Sequence, residues 1–116
     1  IHKFYTKELA GIEGVSVQQN PSADFNSNFW LSTVLIDPKT GKDPESLRQF
    51  MLDAGVETRR LWRPMHMQPV FADAPYYGDT TCETLFDRGL CLPSGSGLKE
   101  EELRYVADKI KEFFNK

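Results

Sequence analysis

The sequence predicts a small α/β (α+β) domain, a mixed and largely antiparallel sheet with helices packed on one face. Three observations carry that expectation. Apolar residues recur at helical spacing in four stretches, and short apolar runs bounded by turn residues lie between them. The chain is 116 residues long, 40% hydrophobic and 27% charged, which suits a single domain with its own core.

Ile1, Phe4, Tyr5, Leu9 and Ile12 share one helical face, and Gly11 or Gly14 is expected to end that helix. No capping residue precedes Ile1, so the helix reads as one cut from a longer chain. Val15 to Gln18 is expected as a short edge strand, followed by a polar loop over Gln19 to Asp24. Phe29 to Asp37 is the clearest strand. Both of its faces are apolar, so it calls for cover on both sides, of which the chain's helices supply one.

Asp37-Pro38-Lys39-Thr40-Gly41 has turn chemistry. Asp43 is placed to cap a helix with Pro44 in its first position and Leu47, Phe50, Met51 and Ala54 along its inner face, stopped by Gly55. Val56 to Trp62 alternates as a strand does. From Arg63 to Asp79 three prolines rule out regular structure, although the stretch is rich in Trp, Tyr, Met and Phe neighbours. Thr80-Thr81-Cys82-Glu83 has capping-box spacing and opens a short helix. Leu90-Cys91-Leu92 is expected as a buried strand. A final helix carries Leu103, Val106, Ala107, Ile110, Phe113 and Phe114 on one face, with Glu100, Glu101 and Glu102 at the positive end of its dipole.

Composition narrows the function. A net charge of −3 argues against binding duplex nucleic acid, which usually calls for a basic excess. No run of about 18 apolar residues exists to span a membrane. The first residues lack the apolar stretch and cleavage site of a secretion signal. Two cysteines, Cys82 and Cys91, make no disulfide framework and fit a reducing cytoplasm. Two histidines without clustered cysteines make a zinc site unexpected.

Three of the six arginines, Arg59, Arg60 and Arg63, fall within five residues, beside Trp62 and just before His66. Guanidinium groups grip phosphate bidentately and indole stacks on flat rings, so the cluster suits a phosphorylated, ring-bearing ligand. A solvated basic strand end is the plainer reading, but a seventeen-residue irregular stretch in so compact a domain points to function or an interface. A lone histidine is commonly structural, and spacing alone brings no carboxylate to His66. Cys82 is expected to be buried on its helix and Cys91 to be inert. Ser94-Gly95-Ser96-Gly97 reads as a strand-to-helix turn, since it lacks the phosphate-loop ending. None of the eight lysines has the apolar setting that Schiff-base chemistry requires. No catalytic nucleophile, cofactor ligand or metal ligand is assigned.

The run Glu57-Thr58-Arg59-Arg60-Leu61-Trp62-Arg63-Pro64-Met65-His66-Met67-Gln68-Pro69-Val70-Phe71 closely resembles the carboxy-terminal part of the DegT/DnrJ/StrS family of nucleotide-sugar aminotransferases. Phe29-Trp30-Leu31-Ser32 and Leu90-Cys91-Leu92-Pro93-Ser94-Gly95 match in the same order, so the resemblance covers essentially the whole chain. It implies the small C-terminal domain of a fold type I pyridoxal phosphate enzyme, spanning residues 1–116. In the family an amino-terminal domain, absent from this chain, holds the cofactor lysine, and the enzymes are homodimers. They pass an amino group, usually from glutamate, to a UDP- or dTDP-linked keto-sugar, as in surface polysaccharide or amino-sugar biosynthesis.

The resemblance implies that His66 and Trp62 face the sugar nucleotide. It makes Arg59 the candidate for an anionic or hydroxyl-rich part of that substrate. Arg60 stands where the family commonly has proline, so it is either peripheral or a tuning residue. Lys99 stands where a capping threonine is frequent. By itself the chain is expected to be inactive and to bind no cofactor. Two alternatives stay open: a related dehydratase using the same cofactor, and a self-standing α/β ligand-binding or interaction module.

Overall fold

A computed structural model describes all residues from Ile1 to Lys116. Four helices, α1 (His2–Leu9), α2 (Pro44–Asp53), α3 (Thr81–Arg88) and α4 (Glu100–Phe114), accompany four strands, β1 (Val15–Val17), β2 (Ser32–Ile36), β3 (Arg59–Arg60) and β4 (Gly89–Leu92). The sheet order is β1-β2-β4-β3, and every pairing is antiparallel. The largely antiparallel sheet that the sequence predicts is antiparallel throughout.

Alternation along the two central strands decides what is core. Val34 pairs with Leu90 and Ser32 with Leu92, and with Ile36 they turn the apolar side of the sheet toward the helices. Tyr5 and Leu9 of α1, Leu47 and Met51 of α2, and Leu103, Val106, Ala107, Ile110 and Phe113 of α4 complete one buried cluster. Each large apolar side chain in it contributes about 2 kcal/mol relative to exposure. A Glu8–Lys111 ion pair of 2.7 Å ties α1 to α4.

The helices follow their capping chemistry closely. Asp43 accepts from the backbone of Glu45 and Ser46, and the Ser46 hydroxyl accepts from the Asp43 backbone N–H, so α2 starts with a complete capping box. Gly55, at φ +77°, ends it as expected. In α4 the Glu102 carboxylate accepts from the Lys99 backbone N–H at 2.7 Å, so the capping carboxylate is kept although a lysine holds the cap position. The first helix ends at Leu9, two residues short of Gly11, and Gly14 rather than Gly11 takes a positive φ.

Both predicted strands beside the aromatic residues are shorter than expected. Phe29 sits at φ +46°, a conformation that breaks the extended run. The side chains of Ser27 and Asn28 accept from the backbone of Phe29 and Trp30, turning the chain just before β2 begins at Ser32. At the other edge only Arg59 and Arg60 pair, with Cys91 and Leu90, because β4 begins at Gly89, directly after α3, and offers no strand for the residues beyond.

α3 contributes nothing to the main buried cluster. Its Leu85 lines a shallow hollow with Leu35 on the second side of β2. The second sheet face is thus partly covered from within the chain, with Thr33 and Cys91 buried and Leu35 half-buried. Trp30, in the turn just before β2, is 71% exposed.

Candidate substrate-facing site

The edge strand β3 and the segment leaving it form a depression of about 590 Å³, walled by Arg59, Arg60, Leu61 and Trp62 and, across from them, by Trp30, Leu31 and the end of β4. Both indoles are largely exposed, Trp62 at 69%. Two exposed tryptophans around one hollow are a costly use of apolar surface unless something flat covers them. The fold thus brings Arg59 and Trp62 to the same hollow as Trp30, a partner that the sequence placed only on a strand.

The arginines divide. Arg59 projects outward, 80% exposed, and is bound only to the neighbouring Glu57 carboxylate at 2.7 Å. A guanidinium in that state can exchange its surface partner for a ligand anion at little cost. Arg60 is half-buried and donates to the Phe86 carbonyl at 2.6 Å while lying over the Phe86 ring. Its first engagement is therefore with the last turn of α3. Arg63 approaches the same ring at 5.5 Å.

His66 does not line that depression. It sits in a short 3₁₀ turn, Met65–Met67, within the irregular segment. Its Nε2 lies 2.6 Å from the Glu83 carboxylate, and its ring stacks on Tyr76 with centroids 3.9 Å apart. The carboxylate that spacing could not place at His66 comes from seventeen residues downstream, in the first turn of α3. The expected capping box is correspondingly absent: Asp79 accepts from the Thr81 backbone instead, and Thr80 caps nothing with its side chain. The Tyr76 hydroxyl donates to the Asp79 carbonyl at 2.6 Å and lies 3.3 Å from Cys82 Sγ. Its bond with Cys82, together with partial desolvation, pushes the Tyr76 phenol up to about 12. Cys82 is half-buried and Cys91 buried, and burial pushes the Cys91 thiol up.

The Ser94-Gly95-Ser96-Gly97 loop behaves as a turn. Ser94 Oγ accepts from the Ser32 backbone and donates to the Leu92 carbonyl, holding β2 and β4 in line, while Leu98 closes back on Gly95. No three His, Cys, Asp or Glu side chains gather where they could hold a metal ion. No helix is long and apolar enough to cross a membrane.

An antiparallel four-stranded sheet backed by three helices carries aromatic and cationic side chains exposed along one edge. The chain belongs to the DegT/DnrJ/EryC1/StrS aminotransferase family, whose sequence profile matches residues 1–111. It is 37% identical over 115 residues to EpsN of Bacillus subtilis (strain 168), named as a pyridoxal phosphate-dependent aminotransferase, covering 96% of this chain and 29% of that one. It is 31% identical to the GDP-perosamine synthase of Escherichia coli O157:H7, covering 99% of this chain and 30% of the relative. Among solved structures, DesI in the presence of its TDP-sugar product superposes with a TM-score of 0.85 at 26% identity, over 99% of this chain and 30% of that one. The chain thus spans about 30% of the length of the relatives it matches.

Relatives are named as pyridoxal phosphate enzymes, and the candidates in this chain for anchoring that group are its eight lysines. They do not fit. None is buried, and Lys109, Lys111 and Lys116 are held by glutamates. A Schiff-base lysine needs a desolvated or cationic setting that lowers its amine pKa, whereas the Glu112 carboxylate raises that of Lys109.

Proposed function

We propose that this chain is the C-terminal small domain of a pyridoxal phosphate-dependent aminotransferase that passes an amino group from glutamate to a nucleotide-linked keto-sugar. The observation that carries this reading is the pair of exposed tryptophans, Trp30 and Trp62, around one hollow with the outward-facing Arg59. Indole supplies a stacking surface for a flat ring and guanidinium supplies bidentate hydrogen bonds to a phosphate. Arg59 and Trp62 are the substrate-facing residues of this wall, His66 faces the substrate from the adjoining loop, and Arg60 stiffens the wall from behind. The cofactor lysine lies outside these residues, in an N-terminal domain, and the parent is a homodimer in the cytoplasm. When bound there, the cofactor supplies the electron sink for amino transfer, while this domain supplies orientation and charge.

Two measurements test the reading. Pyridoxal phosphate added to the purified chain is expected to give no stable Schiff-base absorption band, and a stoichiometric lysine adduct trapped by borohydride would overturn the domain assignment. In the full-length enzyme, Trp62→Ala, Arg59→Ala or His66→Ala should impair the keto-sugar half-reaction far more than the glutamate half-reaction. Equal losses in both would remove the substrate-facing role.

A further inference from the structure

We infer that Glu83 and Tyr76 are positioning residues for His66: the carboxylate keeps the imidazole proton on Nε2, the phenol ring fixes the imidazole plane, and Nδ1 is left as the acceptor offered to a substrate hydroxyl. The inference rests on the substrate-facing role proposed for His66 and adds how that side chain is aimed.

The geometry is specific. Glu83 occupies the third residue of α3, where capping-box spacing would turn its carboxylate back toward the Thr80 backbone. It lies instead 2.6 Å from His66 Nε2, with only 19% of the histidine side chain and 36% of the glutamate side chain exposed. Asp79 covers the helix start in its place, accepting from Thr81 at 2.9 Å. An ionised carboxylate has no proton to give, so Nε2 must carry it, and the other nitrogen of the neutral ring is a bare lone pair. Nδ1 makes no hydrogen bond within the chain.

The ring is fixed in a second direction as well. Tyr76 stacks on it at 29° between planes, and Tyr76 is itself held because its hydroxyl donates its one proton to the Asp79 carbonyl. The Cys82 sulfur lies 3.3 Å from the phenolic oxygen on the same turn. Asp79, Cys82 and Glu83 all belong to the turn that opens α3. One turn therefore sets the tautomer through Glu83 and the plane through Tyr76. A tie that merely closed the loop would need neither a chosen tautomer nor a stacked ring.

The chain has only two histidines, so its imidazoles can be followed individually in long-range ¹H–¹⁵N spectra of the ¹⁵N-labelled protein. At a pH of about 8.5, where an ordinary imidazole is neutral, His66 is expected as the Nε2–H tautomer. Glu83→Ala is expected to give the averaged signals of a free ring. An averaged tautomer in the unaltered protein overturns the inference. In the full-length enzyme, Glu83→Ala is expected to lower kcat/KM for the keto-sugar on the order of tenfold, as misaligned groups commonly do. The glutamate half-reaction should be unchanged, and Glu83→Gln, which keeps an acceptor oxygen, should fall between. If Glu83→Ala leaves the sugar half-reaction intact while His66→Ala impairs it, the positioning role is overturned and the substrate-facing reading stands. If His66→Ala is itself harmless, both fall.

Discussion

The Tyr5 hydroxyl donates to the Pro93 carbonyl at 2.9 Å, joining the first helix to the end of the central strand across 88 residues of sequence. Tyr5 is wholly inaccessible to solvent, and burial pushes its phenol well above the ordinary range. The bond holds α1 against the strand end that leads into the Ser94 turn and the wall of the candidate site.

Tyr5→Phe keeps the ring packing and deletes this bond, leaving the Pro93 carbonyl short of a partner. The expected cost is about 1 kcal/mol, or a fall in Tm of about 4 °C, read by thermal unfolding. The same phenol gives a pH signature. Its folded-state pKa is raised, so its contribution is complete below the ordinary value of about 10 and declines as the pH climbs above it, because the unfolded chain ionises first. The urea midpoint should therefore fall above pH about 10, and Tyr5→Phe should flatten that fall. An unchanged slope in the variant would mean that other groups carry the alkaline loss.

Asp43 starts α2 with two backbone hydrogen bonds to its side chain, and those bonds, that from the Ser46 backbone first, hold its carboxyl below the usual range. Asp43→Ala is expected to cost about 1 kcal/mol, measured by denaturant unfolding. Since the folded-state pKa is depressed, the cap contributes fully above the ordinary carboxylate value of about 4 and is lost as the pH falls through the lowered one. The difference between the variant and the parent should accordingly shrink in acid.

That cap was legible because its chemistry is local: Asp, Pro and a spaced apolar face lie within twelve residues of sequence. The same holds for α4 and for Leu90-Cys91-Leu92, whose apolar run matches a strand buried along its whole length. The overcalled strands failed for reasons that a propensity pattern does not carry. Phe29 looks like a strand residue until its positive φ is seen, and Val56 to Trp62 alternates correctly while only Arg59 and Arg60 find a partner.

The candidate site was legible in part for the same reason. Arg59, Trp62 and His66 announced themselves as a dense run, but a run does not say which way each side chain points. The spacing of Glu83 is that of a capping residue, and only the fold brings it to His66. Trp30 lies in a strand-like apolar pattern, and only the turn before β2 leaves it at the wall. Contacts made across long stretches of sequence decide these positions, and no local pattern encodes them.

Gly89, the first residue of β4, is packed so tightly that a methyl group would collide with the Leu61 side chain and the Leu85 carbonyl. Its backbone is ordinary for a strand, with φ −97°, so the constraint is space and not conformation. Gly89→Ala should therefore cost about 1–3 kcal/mol through overpacking at the junction of α3 with the sheet. Shrinking the neighbour should recover part of it, so Gly89→Ala combined with Leu61→Val is expected to be more stable than the two single losses added together, as a double-mutant cycle in urea would show.

The two adjacent arginines of β3 make the sharpest contrast. Arg60 is held by the Phe86 carbonyl and ring, and its Nε is buried without a partner, so the side chain belongs to the packing between β3 and α3. Arg59 touches only an exposed glutamate. Arg60→Met, which keeps the apolar stem and deletes the charged donor, is expected to cost about 2 kcal/mol in unfolding experiments. Arg59→Met should stay within about 0.5 kcal/mol of the parent. In the full-length enzyme the order should invert, with Arg59→Met raising KM for the sugar nucleotide more than Arg60→Met does at a temperature where both are folded. A larger KM effect from Arg60 would mean that its guanidinium leaves Phe86 to meet the ligand, and the wall would then have to be redrawn around it.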